Sequence, residues 1–148
     1  MALQITLQPT AAILLADLKQ LPPTFEKEAI LKLSVAAEAE VRRGADKHTK
    51  TGRLFQSVYN REISNGREVG HDPERAPHAL FVVGGTRPHV IEPKNRKVLR
   101  FPVGSGGNTR FVFARRVNHP GYKGDDYMTP AANAAMLQLQ SIIDSLKG

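Results

Sequence analysis

The segment from Thr24 to Arg43 constrains this chain more than any other. Phe25, Ala29, Ile30, Leu33, Ala36, Ala37 and Val41 recur mostly at spacings of three and four, which places them on one face of a helix. Glu26 and Glu28 stand in its first turn and Arg42 and Arg43 in its last, as the helix dipole favours. Glu28–Lys32 and Glu38–Arg42 are i,i+4 pairs in the better orientation. Gly44 is the expected C-terminal stop.

Around this helix the pattern changes several times. Leu3, Ile5 and Leu7 alternate with polar residues, the period of a half-buried strand. Thr10 caps an expected short helix carrying Ile13, Leu14 and Leu18, which Pro22–Pro23 stop. Ser57–Ile63 and Arg67–Gly70 flank Asn65-Gly66, a strong hairpin signal. Ala79–Val83 is a continuous apolar run and reads as a central strand covered on both faces. Val98–Val103 and Arg110–Val117 are the expected arms of a second hairpin. Its tip, Gly104-Ser105-Gly106-Gly107-Asn108, is too polar and glycine-rich to hold one conformation alone. Phe111 and Phe113 face one side of their strand, with Arg110 and Arg116 outside that pair. Near the C-terminus Thr129 is the expected cap and Pro130 the first helical residue, ahead of a buried stripe of Ala135, Leu139, Ile142 and Leu146.

The 148 residues suffice for one domain. Leu, Ile, Val and Phe together number 38, enough for a packed core. The expected fold is therefore a single α+β domain over residues 1–148. It has an antiparallel sheet packed by the long helix of the N-terminal half and by a C-terminal helix.

The net charge of +7 is unevenly placed: −2 over residues 1–41, +11 over 42–123 and −2 over 124–148. Such a concentrated positive field favours polyanions or an acidic protein surface. A solvated basic surface that keeps the chain soluble is the bland alternative. Cysteine is absent, which excludes disulfide scaffolds, thiolate metal sites and cysteine nucleophiles and suits a reducing compartment. No apolar run has the length of a membrane span, and MALQITLQPT lacks the form of a signal peptide. The chain is expected to be soluble, away from membranes, and to stay where it is made.

The usual catalytic patterns are missing. No phosphate-binding loop ends in Gly-Lys-Ser/Thr, and Gly104–Gly107 lacks the strand–helix context of a nucleotide fingerprint. His48, His71, His78, His89 and His119 fall at no helical i,i+4 spacing and in no His-Glu-x-x-His frame. Gly70-His71, Pro88-His89 and His119-Pro120 read as turns, where an imidazole serves as a local hydrogen-bond partner. Ser57, Ser64 and Ser105 do not occupy a nucleophile elbow. A nuclease using His89 or His119 with a lysine would lie in the basic region, but no spacing supports it. The expectation is a protein without enzymatic turnover, catalytic residues, metal or cofactor.

What remains is a series of motifs that are structural in character. Lys50-Thr51-Gly52-Arg53-Leu54-Phe55-Gln56-Ser57-Val58 follows directly on the long helix. It resembles the Thr-Gly-Arg-Leu-x-x-Ser-Ile signature of the siphophage tail-component or tail-completion family, whose members sit in the neck joining head to tail. His78-Ala79-Leu80-Phe81-Val82-Val83-Gly84-Gly85-Thr86 is similar to the family's Tyr-Ala-x-x-Val-Glu-Phe-Gly-Thr segment. His89–Lys94, Val98–Phe101 and Val117-Asn118-His119-Pro120-Gly121 resemble a longer variety of the same family. Tyr127-Met128-Thr129-Pro130-Ala131 is similar to its closing Pro-Phe-x-x-Pro-Ala. The usual Tyr, Glu and Phe of the central segment are His78, Val83 and Gly84 here, and the proline before the last aromatic is Asp126. The series runs nearly the whole chain in the right order.

The resemblance implies a structural subunit of a ring in the neck of a tailed phage or prophage, completing the tail and docking it to the head connector. Its partners would be further copies of itself, the head connector and the tail tube, with DNA passing through the ring. It would be assembled in the host cytoplasm and end in the virion. Thr51, Gly52, Arg53, Leu54, Gly85, Thr86, His119, Pro120 and Gly121 are the candidate structural motif residues. In any α+β domain the same glycines would be turn residues and Leu54 a core anchor. Arg96, Lys97, Arg100, Arg110, Arg115 and Arg116 fall on or beside the arms of the second hairpin and are the candidate ring or partner interface. So many cations on one ribbon repel unless something anionic lies opposite. An acidic face of a neck partner is the first expectation and DNA the second. A nucleic-acid-binding module using this basic middle is the alternative function.

Overall fold

Helix α1 (Pro23–Asp46) is the element on which the rest is assembled. The structure, a computed structural model, describes residues 4–7, 22–48, 50–104 and 110–147. The short helix expected around Ile13, Leu14 and Leu18 and the hairpin tip at 105–108 lie outside the described residues. The fold class is α+β, as expected.

The first sheet is three-stranded and antiparallel, in the order β1 (Gln4–Leu7), β3 (Gly66–His71), β2 (Val58–Ile63). Gln4 lies opposite Gly70, and Val58 opposite His71. The hairpin β2–β3 forms as expected. Its two turn residues are Ser64 and Asn65, since Ile63 already pairs with Gly66. One turn of helix, α2 (Arg53–Gln56), joins α1 to this sheet.

Helix α1 buries Ala29, Leu33, Ala37 and Val41 of the expected stripe, and also Ser34, Gly44 and Ala45. Ser34 is tolerated because its hydroxyl donates to the Leu31 carbonyl at 2.7 Å and accepts from Asn60 Nδ2 at 3.1 Å. Both expected ion pairs form, Lys32–Glu28 at 3.3 Å and Arg42–Glu38 at 2.8 Å. Gly44 does not stop the helix, which continues to Asp46. Its glycine answers to packing instead: a Cβ at position 44 would stand 2.5 Å from Cβ and Cγ of Tyr127.

The apolar run Ala79–Val83 is not a central strand. It forms a short helix, α3 (Ala79–Gly84). A short apolar run satisfies either period. Here Ala79 and Val83, one helical turn apart, are buried, whereas Leu80 and Phe81 are exposed. Gly85, with φ +74°, ends the helix.

Two further antiparallel ribbons follow. The second expected hairpin forms from β5 (Leu99–Val103) and β6 (Arg110–Ala114). Its second arm is shorter than expected, because β7 (Val117–His119) is a separate strand that pairs with β4 (His89–Ile91).

The C-terminal helix begins at Met128 rather than after Thr129. Tyr127 stands at its N-cap position and Asp126, just before it, supplies the capping oxygen: Oδ1 accepts from the backbone N–H groups of Met128 and Thr129, each at 3.1 Å. Hydrogen bonds from the Thr129 backbone N–H and then from its hydroxyl, with a smaller part from the Met128 N–H, hold the Asp126 carboxyl below its usual range. The helix is divided into α4 (Met128–Leu137) and α5 (Leu139–Lys147). At the break, the Gln138 N–H bonds the Ala135 carbonyl at 3.0 Å, a tightened turn. Ala131, Ala135, Leu139 and Ile143 are buried, with Ile142 and Leu146 half-buried beside them. Both halves pack on α1.

Candidate interaction surface

The first candidate group, Thr51 to Leu54, forms the joint between α1 and the sheet. Gly52 has φ +78°, a left-handed conformation that lets the chain turn directly into α2. Thr51 and Arg53 are exposed. Leu54 is 2% exposed and belongs to the core. Arg42 of α1 completes the joint, donating to the carbonyls of Phe55 and Val58, both at 3.0 Å.

The second and third motif groups, far apart in sequence, meet. Thr86 and Tyr122 exchange backbone hydrogen bonds of 2.7 and 2.9 Å. Gly85 and Gly121 both have positive φ, and a Cβ on Gly121 would lie 2.5 Å from the Thr86 carbonyl oxygen. Two backbones therefore cross here at a distance only glycine permits. Thr86 Oγ1 is buried at this crossing without a hydrogen-bond partner among the described residues. Beside it His89 and His119 lie directly opposite on β4 and β7, their rings stacked at 4.9 Å. Each makes a local hydrogen bond, as expected, but from a strand end rather than from the expected turn, since His89 begins β4 and His119 ends β7. Nδ1 of His89 donates to the Arg87 carbonyl at 2.8 Å, and Nδ1 of His119 accepts from the Gly121 N–H at 3.1 Å. Pro120, between the histidine and the glycine, is exposed.

His71 also stands on a strand rather than in the expected turn, but it is buried. It ends β3, is 2% exposed, and holds together residues from three parts of the chain. Ser57 Oγ donates to the Leu54 carbonyl at 2.7 Å. Its one proton thus engaged, it accepts from Nδ1 of His71 at 2.8 Å. Nε2 then accepts from the Tyr127 hydroxyl at 2.9 Å. Every donor has an acceptor only while the imidazole is neutral. Burial agrees, pushing the His71 pKa down to about 4. Tyr127 is pushed up to about 12 by burial and then by the nearby Asp125. Ser57 and His71 resemble part of a hydrolytic pair in composition, but both are enclosed, and their bonds to Leu54 and Tyr127 make this a structural cluster. Its only signal in the sequence was a histidine at the end of an alternating strand.

The six candidate interface cations are all exposed, and the register sorts them. Arg100 lies opposite Phe113, and Arg110 opposite Val103, so the two arginines point to opposite faces of the ribbon. Arg96 and Lys97 precede β5, and Arg115 and Arg116 follow β6. One ribbon face carries Arg100, Pro102, Phe111 and Phe113, all exposed. The other carries Leu99, Phe101, Val112 and Ala114, all half-buried, with Val103 and Arg110 at its end. On the exposed face the Arg100 guanidinium stands 3.6 Å from the centre of the Phe111 ring.

Among the described residues no three His, Cys, Asp or Glu side chains are grouped to hold a metal ion, and no helix is long and apolar enough to cross a membrane. Comparison with protein-family models, curated proteins and solved structures finds no match to this chain.

Proposed function

We propose that this chain is a structural subunit of the neck of a tailed phage or prophage, which completes the tail and joins it to the head connector. The ordered series of motifs from Thr51 to Ala131 suggests this role. The structural observation that carries it is the pair of two-stranded ribbons, β4–β7 and β5–β6. Among the described residues each leaves one edge of each strand unpaired. A two-stranded ribbon is marginal by itself in water, and an open edge is a template for pairing with another chain. A ring supplies such a neighbour through head-to-tail contacts that close on themselves.

In this reading the protein works by self-association and docking. Helix α1, the three-stranded sheet and the His71 cluster hold the body, and the ribbons reach the next copy, the connector and the tail tube. Light scattering of the protein mixed with its cognate connector or tail tube tests it. Assembly on those templates is expected, including from a subunit that is monomeric alone. Persistent monomer in both mixtures would overturn the reading.

A further inference from the structure

We infer that the exposed face of the β5–β6 ribbon is a binding site for single-stranded nucleic acid, with bases stacking on Phe113 and on the Arg100–Phe111 stack and phosphates held by the cations at that end of the ribbon. Phe111 and Phe113 are 50% and 61% exposed, although large aromatic side chains are ordinarily much more buried. They alternate on one strand, so their attachment points lie about 7 Å apart along it. Successive bases of an extended strand can reach two rings so placed.

The cations gather at the Phe113 end of this face. Lys94, Arg96, Lys97 and Arg100 line one shallow, open depression of about 750 Å3 with Leu99 and Phe113. Arg115 and Arg116 follow β6 at the same end of the ribbon, because Ala114 pairs with Leu99. None of these six cations forms an ion pair among the described residues. Between Arg87 and Val117 the sequence has a single carboxylate, Glu92. A cationic track beside exposed rings on a sheet face is how proteins hold unpaired strands. The rings take the faces of the bases, and the charges take the backbone.

Duplex DNA fits this surface less well. Its bases are already stacked on one another, so it engages the cations and leaves both rings in water. An acidic protein surface satisfies the guanidinium and ammonium groups but has no reason to require both rings. These are the two competing occupants, and the arms of the test separate them.

The experiment is fluorescence anisotropy of a labelled oligothymidylate with the full chain over a range of salt concentrations, with duplex DNA of equal length and polyglutamate as competitors. The single strand is expected to bind at least tenfold more tightly than either competitor. Phe111→Ala with Phe113→Ala should weaken binding by at least about thirtyfold, since each base–aromatic stack contributes about fivefold or more, with the salt slope unchanged. Arg96→Ala with Lys97→Ala should keep the stacking and make the slope shallower by about 1.4, the change for two lost phosphate contacts. All four positions are exposed, and circular dichroism checks that the variants keep the fold. Absence of binding at low salt would overturn the inference. So would equal binding of duplex or polyglutamate, or wild-type affinity in the double phenylalanine variant. The measurement uses the isolated chain, so its outcome is independent of whether the protein assembles on a connector.

Discussion

The Tyr127 hydroxyl donates to Nε2 of His71 at 2.9 Å across 56 positions of sequence. The same tyrosine ring covers Gly44 of α1 and stacks on His48 at 6.1 Å, while His48 Nε2 lies 2.7 Å from Asp125 Oδ2. Tyr127 thus stands where the long helix, the sheet and the start of the C-terminal helix meet. The motif Thr51–Val58 reaches the same point through Ser57.

This cluster makes stability depend on pH with a definite sign. The unfolded chain takes up a proton on His71 below about 6.5, whereas the folded chain resists it until about 4. Stability is therefore full above pH 6.5 and falls as pH drops from 6.5 to 4, by about 3 kcal/mol from this group. Denaturant titrations across that window should show the fall, and His71→Gln should flatten it. An unchanged slope in that variant would mean that His71 is not the titrating group.

Position 44 sets two effects against each other. Alanine is favoured over glycine inside a helix by about 1 kcal/mol. A Cβ here, however, would meet the Tyr127 ring at 2.5 to 2.6 Å, and overpacking of this kind costs about 1–3 kcal/mol. Gly44→Ala should destabilise the protein in thermal unfolding. A gain would show that the ring can move away.

Gly52 and Gly121 share a left-handed backbone but differ in their surroundings. At Gly52 a Cβ would find its nearest neighbour, the Gln56 side chain, at 3.4 Å. Gly52→Ala should cost only the conformational strain, about 1–2 kcal/mol. At Gly121 the Thr86 carbonyl oxygen stands 2.5 Å from that position. Gly121→Ala should therefore cost clearly more, and hydrogen exchange at the Thr86 and Tyr122 amides should rise with it. Equal losses at the two sites would argue against the backbone crossing.

Leu54 anchors the joint between α1 and the sheet from a site 2% exposed. Leu54→Ala should lose roughly 2–5 kcal/mol, the range for truncating a buried leucine. A loss within about half a kcal/mol, typical of surface changes, would show that the joint does not depend on it.

The sequence by itself determined the elements whose signals are local and repeated. The stripe from Ala29 to Val41, the Glu–Lys and Glu–Arg pairs, the β2–β3 hairpin and the two arms around the glycine-rich tip are all periodic or turn-encoded, and each formed. Leu54 was legible as an anchor because it sits in a motif between helix and strand. The exposed ring face was partly legible, since the alternation of Phe111 and Phe113 puts them on one side. Only the register showed that Arg100 joins them and Arg110 does not. Tertiary structure decided the rest. Ala79–Val83 is short enough to suit either period, and the choice of helix came with burial of Ala79 and Val83 together. Gly44 looks like a helix stop until Tyr127 is seen against it. His71 looks like a turn residue until Ser57 and Tyr127 close on its two nitrogens. For Gly44 and His71 the deciding partner is distant in sequence, and no local periodicity carries the position of a distant side chain.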